Sequence, residues 1–238
     1  MIKRITHAAV WRVNPREGNV FVSDYLKSIL PSLKRNSQIK KILDVACGNG
    51  MGVTIPLLRI GYDLWCFDHV QSAINAIKQN AVVEGFNVHA KKADMYKKYP
   101  YKDNTFDATF CFQAIYHGNL SQIIFALKEI RRVTKKGGYV FVNFLPFDDI
   151  LYDPKRNRYY TLRIIKNKLI GRSYHKQDKS EPHLFYPVGN FEHNVPHYYA
   201  EKDEVKEWMN KFFRNVKIRK IKRPHDIKWF FWLAYGKK

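Results

Sequence analysis

Three acids and three glycines stand in an order that suits a single ligand. Asp44 lies inside an apolar run (Ile42, Leu43, Val45) that breaks into Gly48, Gly50 and Gly52. A charge buried in a strand is costly, so a carboxylate four residues before Gly48 points to a ligand more than to packing. Glycines at such a turn let the backbone approach a ligand where a side chain would collide. The helix start that follows offers free N–H groups to negatively charged atoms. Asp68 ends a second apolar run, twenty residues beyond Gly48. There it can accept from both hydroxyls of a ribose, although a helix N-cap is the competing role. Asp94 ends a third run, with Met95 beside it. Further on, in Gln113-Ala-Ile-Tyr116-His117, the imidazole titrates near neutrality and suits a general base. It could equally cap the next helix or orient a loop.

The runs around these residues alternate in period. Strand-like segments (41–45, 62–68, 87–94, 105–113, 139–144) are separated by helical patterns such as Val53, Ile55, Leu57, Leu58, Ile60 and Ala73, Ile74, Ile77, Ala81. Leu120 to Val133 reads as an amphipathic helix, and Glu201 to Phe213 as the last one. Two closing strands, 215–221 and 227–235, follow it as a hairpin. Alternation of this kind builds a doubly wound α/β sheet, with ligands at the carboxyl edge of its strands. Gly48, Gly50 and Gly52 are evenly spaced, which does not fit the dinucleotide Gly-x-Gly-x-x-Gly pattern and disfavours NAD.

Asp-Val-Ala-Cys-Gly-Asn-Gly (44–50) resembles motif I of the class I (Rossmann-like) S-adenosylmethionine (SAM)-dependent methyltransferases, with Ala46 where the first glycine usually sits. That replacement is expected to cost little. The resemblance covers about residues 40–145. It implies a seven-stranded mixed sheet with a C-terminal antiparallel hairpin, and SAM as cofactor with S-adenosylhomocysteine as product. It also implies that Asp44, Ala46 and the backbone of Gly48 and Gly50 hold the methionine end. Asp68 would bind the ribose, with His69 in place of the usual small polar neighbour. Asp94 and Met95 would hold the adenine, and Gln113 would lie beside the cofactor. Tyr116 and His117 fall in the family's motif IV region and are the candidate catalytic residues. Asp107 is structural in the family and is left out of the site. Pro196-His197-Tyr198-Tyr199 resembles a segment of tellurite-resistance-type small-molecule methyltransferases, which implies a substrate-lining role for His197 and Tyr198.

At 238 residues the chain suits one domain with insertions. The expected division is a helical leader or lid (1–40, with Trp11 a candidate cleft aromatic), a SAM-binding core (41–145), an insertion over the active site (146–200), and the last helix with its hairpin (201–238). No metal is expected, because His183, His193 and His197 are spaced by ten and four in loop sequence without cysteine partners. Cys47, Cys66 and Cys111 read as reduced core residues, and no apolar segment suggests export or a membrane span, so the cytoplasm is the default. The net charge of +21 attracts polyanions, unless it reflects a lysine-rich proteome. Residues 154–177 mix Lys and Arg with Tyr159, Tyr160 and Tyr174, as a nucleic-acid surface, or a solvated surface loop or strand pair, would. The tetrapeptide of amino-group nucleic-acid and protein methyltransferases and the cytosine-C5 cysteine motif are both missing. The leading expectation is therefore methyl transfer to a small molecule. Its alternatives are an RNA methyltransferase and a non-catalytic SAM-binding protein.

Overall fold

A computed structural model describes residues 26, 29–31, 33–165, 168–189, 192–222 and 230–238. Trp11 and most of the leader lie outside them. The first half alternates as its periodicity demands, in the order β1 (Lys41–Val45), α1 (Thr54–Arg59), β2 (Asp63–Asp68), α2 (Gln71–Val83), β3 (His89–Lys92), β4 (Phe106–Cys111), α3 (Leu120–Val133) and β5 (Thr134–Pro146). These five strands pair in parallel in the order β3-β2-β1-β4-β5. The hairpin of β11 (Arg214–Lys222) and β12 (Phe230–Lys237) follows α4 (Lys202–Phe212). β12 runs antiparallel along β5 from Lys237 opposite Tyr139 to Trp232 opposite Phe144, and β11 pairs antiparallel on its far side. The seven-stranded mixed sheet is complete.

β1, β4 and β5 carry apolar residues on both faces, because helices cover both. Leu43, Val45, Phe106, Val140, Val142 and Phe144 pack on one face with α3 and α4. Ile42, Ala108, Phe110, Phe141 and Phe231 pack on the other with Leu26, Ile29 and Leu33, which are spaced as one helical face. Asp107 fastens the amino edge. Its Oδ2 accepts from the N–H groups of Lys40 (3.0 Å) and Lys41 (2.8 Å), and Lys135 Nζ reaches Oδ1 at 2.7 Å.

The insertion is not a loop. Its strands β6 (Leu151–Asp153), β7 (Arg158–Ile165), β8 (Lys168–Gln177), β9 (Leu184–Val188) and β10 (His197–Ala200) pair antiparallel in sequence order. β10 then pairs in parallel with the tip of β5, Tyr199 to Leu145 and Ala200 to Pro146. Core and insertion thus share one hydrogen-bonded ladder through β5. The basic and aromatic residues of 154–177 stack on one another across β7 and β8: Arg172 lies over Tyr160 and Arg158 over Tyr174, each guanidinium 5.3 Å from the ring centre.

Candidate cofactor and acceptor site

The turn between β1 and α1 is held from below by two carboxylates. Asp44 is buried, and its Oδ2 accepts from Thr54 Oγ1 at 2.7 Å. Burial pushes its carboxyl from 3.8 up to about 7, against the Thr54 hydrogen bond and with help from the nearby Asp68 charge. Asp68, also buried, accepts from the Gly48 N–H (3.0 Å) through Oδ2 and from the Val70 N–H (2.9 Å) through Oδ1. The Val70 bond is a turn closed two residues on. The N-cap of α2 is Val70 itself, with no side-chain bond, so Asp68 does not cap that helix. His69 Nδ1 stands 3.5 Å from Asp68 Oδ1.

Among the described residues six non-glycines have positive φ, and four are asparagines, which tolerate it. The exceptions are Ala46 (φ 55°) and Gln113 (φ 54°), both where a strand leaves the carboxyl edge. Strained backbone concentrates at functional edges of this kind. Ala46 is therefore not the inexpensive replacement that its small side chain suggests, since left-handed backbone costs an alanine roughly 1–2 kcal/mol. Restoring glycine adds unfolded-chain entropy of about 0.5–1 kcal/mol. Ala46→Gly is expected to stabilise the fold by about 0.5–1 kcal/mol in denaturant titrations.

SAM fits this geometry. A side chain built at Gly48 (φ 55°) would meet nothing within 4 Å, so the turn has an open cradle above it. Two carboxylates stand beneath a turn that a cationic amino acid and a ribose could share. Asp94 closes its own short turn by accepting from the Tyr96 N–H (2.8 Å), and Met95 is half-buried against the core.

At the exit of β4, Gln113 is fixed by Asn143, a buried polar residue of β5 whose Oδ1 accepts the Gln113 N–H at 2.7 Å. Sequence reasoning passed over Asn143, although an amide inside Tyr139-Val-Phe-Val-Asn-Phe was a visible signal. Tyr116 and His117 sit in a single 3₁₀ turn (Ile115–His117), steadied by Tyr96, whose hydroxyl donates to the Ile115 carbonyl at 3.1 Å. His117 is not a helix cap. Asn119 takes that role, accepting from the Gln122 N–H at 2.9 Å in a reciprocal capping box.

β10 faces this turn. Its side chains alternate, so His197 and Tyr198, expected together, point to opposite sides. His197 meets His117 edge to face, ring centres 4.6 Å apart, and lies 6.2 Å from the Tyr116 ring. Tyr198 packs instead on Trp208 of α4 (5.6 Å), its hydroxyl 3.4 Å from Glu204 Oε1. Tyr199 shares the His197 side, and its hydroxyl lies 3.4 Å from His175 Nε2. Burial, then the neighbouring His197, push the His175 imidazole down to about 4, so it is neutral near pH 7. The three histidines considered from sequence do not meet. His183 pairs with Glu204 (2.8 Å), and His193 Nδ1 accepts from the Gly189 N–H (3.2 Å). His197 joins His117 and Glu192 instead, their ligand-type atoms within 4.8 Å of one another.

Residues 42–138 match the family described as "Methyltransferase domain". No curated protein matches the sequence. Solved structures share the architecture over nearly the whole chain. A protein of Pyrococcus horikoshii OT3 (PH0226) is similar at 19% identity and TM-score 0.63, covering 96% of this chain and 98% of its own. The 1,6-didemethyltoxoflavin-N1-methyltransferase of Burkholderia thailandensis is similar at 14% identity and TM-score 0.62, covering 98% and 79%. TehB of Haemophilus influenzae is similar at 15% identity and TM-score 0.59, covering 91% and 67%. The acid-flanked glycine turn and the strand order agree with these similarities: residues 42–138 are similar to a methyltransferase domain, and the fold is the one these solved structures share.

Proposed function

We propose that the protein transfers a methyl group from SAM to a small molecule. The observation that carries the reading is the closure of the acceptor side. His117 and His197 are both buried, where β10 of the insertion lies against the turn after β4. A site roofed in this way suits a compact acceptor better than a polymer. The similar Burkholderia protein, a 1,6-didemethyltoxoflavin-N1-methyltransferase, agrees with it. The basic strands favour RNA less than their composition suggests, because Tyr160 and Tyr174 already carry arginines of the same chain on their rings.

When bound, SAM supplies a methyl carbon made electrophilic by its sulfonium. The chain's own residues bind and orient. Asp44 and the turn at Gly48 and Gly50 receive the methionine end, Asp68 with His69 the ribose, and Asp94 with Met95 the adenine. Gln113, held by Asn143, sets the floor between cofactor and acceptor. Tyr116, His117 and His197 exclude water and place the accepting atom, and alignment in a dry pocket supplies much of the rate.

Asp68→Ala is expected to weaken SAM binding by about 1–3 kcal/mol through lost hydrogen bonds. Unchanged affinity by calorimetry in a folded variant would remove the ribose assignment. The function itself is tested with methyl-labelled SAM and a cell extract divided by size, with and without RNase. Label in the small, RNase-insensitive fraction supports the reading. RNase-sensitive label in the large fraction makes the acceptor RNA, and SAM binding without any label makes the protein a non-catalytic binder.

A further inference from the structure

We infer that His117, Glu192 and His197 form a binding site for one divalent transition-metal ion, at the seam between the core and the insertion. Two imidazoles and one carboxylate are a donor set that suits zinc and its neighbours in the first transition row. Magnesium and calcium prefer oxygen alone.

The geometry supports this at four points. First, the ligand atoms of the three residues lie within 4.8 Å of one another. Two ligands on a tetrahedral ion, each about 2.1 Å from it, stand roughly 3.4 Å apart. His197 Nε2 and Glu192 Oε2 are 3.5 Å apart already, and the third group needs a shift of at most about 1.4 Å. Second, His197 Nδ1 lies 3.0 Å from the Val195 carbonyl, which can only accept. The proton therefore sits on Nδ1 and the lone pair on Nε2, toward Glu192. This is the arrangement by which a backbone carbonyl orients a metal-bound histidine. Third, the imidazoles ride on fixed elements. His197 is in β10, paired with Phe185 of β9, and His117 is in the turn that Tyr96 steadies. Both rings are buried, while Glu192 is half-buried and gives the site an approach from solvent. Fourth, the three groups come from separate parts of the chain, the turn after β4 on one side and β10 with the residues before it on the other, and meet at one point.

Three protein ligands leave at least one coordination position open, the pattern of metal sites that engage an exogenous group and not of closed structural ones. His117 is four residues from Gln113, so the three ligands lie beside the region where the acceptor is proposed. The acceptor class that follows is a small molecule presenting an oxygen or nitrogen donor to the ion. This last step rests on the methyltransferase reading, whereas the metal site does not.

The test uses the full chain, stripped with chelator and titrated with zinc chloride by calorimetry, with SAM binding measured separately on every sample. One equivalent of zinc should bind. His197→Ala and Glu192→Gln should each weaken it at least tenfold, His193→Ala should leave it unchanged, and magnesium should not compete. No zinc binding by the wild type, equal binding by His197→Ala and Glu192→Gln variants that still take up SAM, or displacement by equimolar magnesium would each overturn the site. Intact zinc binding without SAM binding would spare the metal site and sink the methyltransferase reading instead.

Discussion

Asp44→Asn is expected to make the protein more stable above neutral pH and a weaker binder of SAM. The two effects have one origin. The folded protein holds the Asp44 proton up to about pH 7, whereas the unfolded chain releases it near 3.8. Between those values the unfolded state binds fewer protons, so stability falls as pH rises through the window and is level above it. At about 1.36 kcal/mol per pH unit the full span is on the order of 4 kcal/mol, an upper figure because local relaxation absorbs part of it. Asparagine keeps an acceptor for Thr54 Oγ1 and carries no charge to desolvate. Denaturant unfolding should show the variant more stable than wild type by about 1.5 kcal/mol at pH 5 and by up to about 4 kcal/mol at pH 8. For SAM the sign reverses. The ionised carboxylate is what a cationic ligand seeks, so wild-type affinity should rise from pH 6 to pH 8. Asparagine should abolish that rise, with a loss of roughly 2 kcal/mol at pH 8. Parallel pH profiles for the two proteins would show that Asp44 does not meet the ligand's charge.

Gly50→Ala should destabilise the fold by about 2–4 kcal/mol, the largest loss expected from any single methyl group at this turn. The backbone at Gly50 has φ 76°, and an added Cβ would overlap the side chain of Ile77, which α2 holds fully buried. Left-handed strain and overpacking then act together. Gly48→Ala provides the contrast. Its φ is 55° but its Cβ would enter open space. Only strain of roughly 1–2 kcal/mol opposes folding there. The new methyl enters the cradle proposed for SAM, so its principal loss should be in binding. Thermal melts and SAM calorimetry on both variants separate the effects. Equal melting temperatures for the two would contradict the packing argument at Ile77.

The α/β core was legible because each element announces itself within its own residues. Leu120–Val133 has the same bounds by periodicity as in the fold, and Asp44 stands out as a charge inside an apolar run. The left-handed backbone at Ala46 and Gln113 was not legible. Nothing in an alanine or glutamine marks it, and only Asn143, sequentially remote, explains the second. Within the insertion a strand pair was only one of the readings of residues 154–177, because β7 and β8 satisfy side chains with arginine on tyrosine, which looks like composition and not like alternation. His117, Glu192 and His197 were invisible as a group for a plainer reason. Some 75 residues separate the first from the others, and spacing says nothing about a contact made by β10 folding back on the core.

β5 receives its outer neighbours late. β4 flanks it from the start, but Tyr139–Phe144 waits for β12 and the tip waits for β10. A growing chain can thus assemble the cofactor half while the outer rim of β5, with Phe141 and Phe144 beside it, is still an unpaired and greasy template for other strands. The final eight-residue strand is therefore a seal as well as a strand. Until it docks, the half proposed to recognise SAM is also the half most exposed to wrong partners.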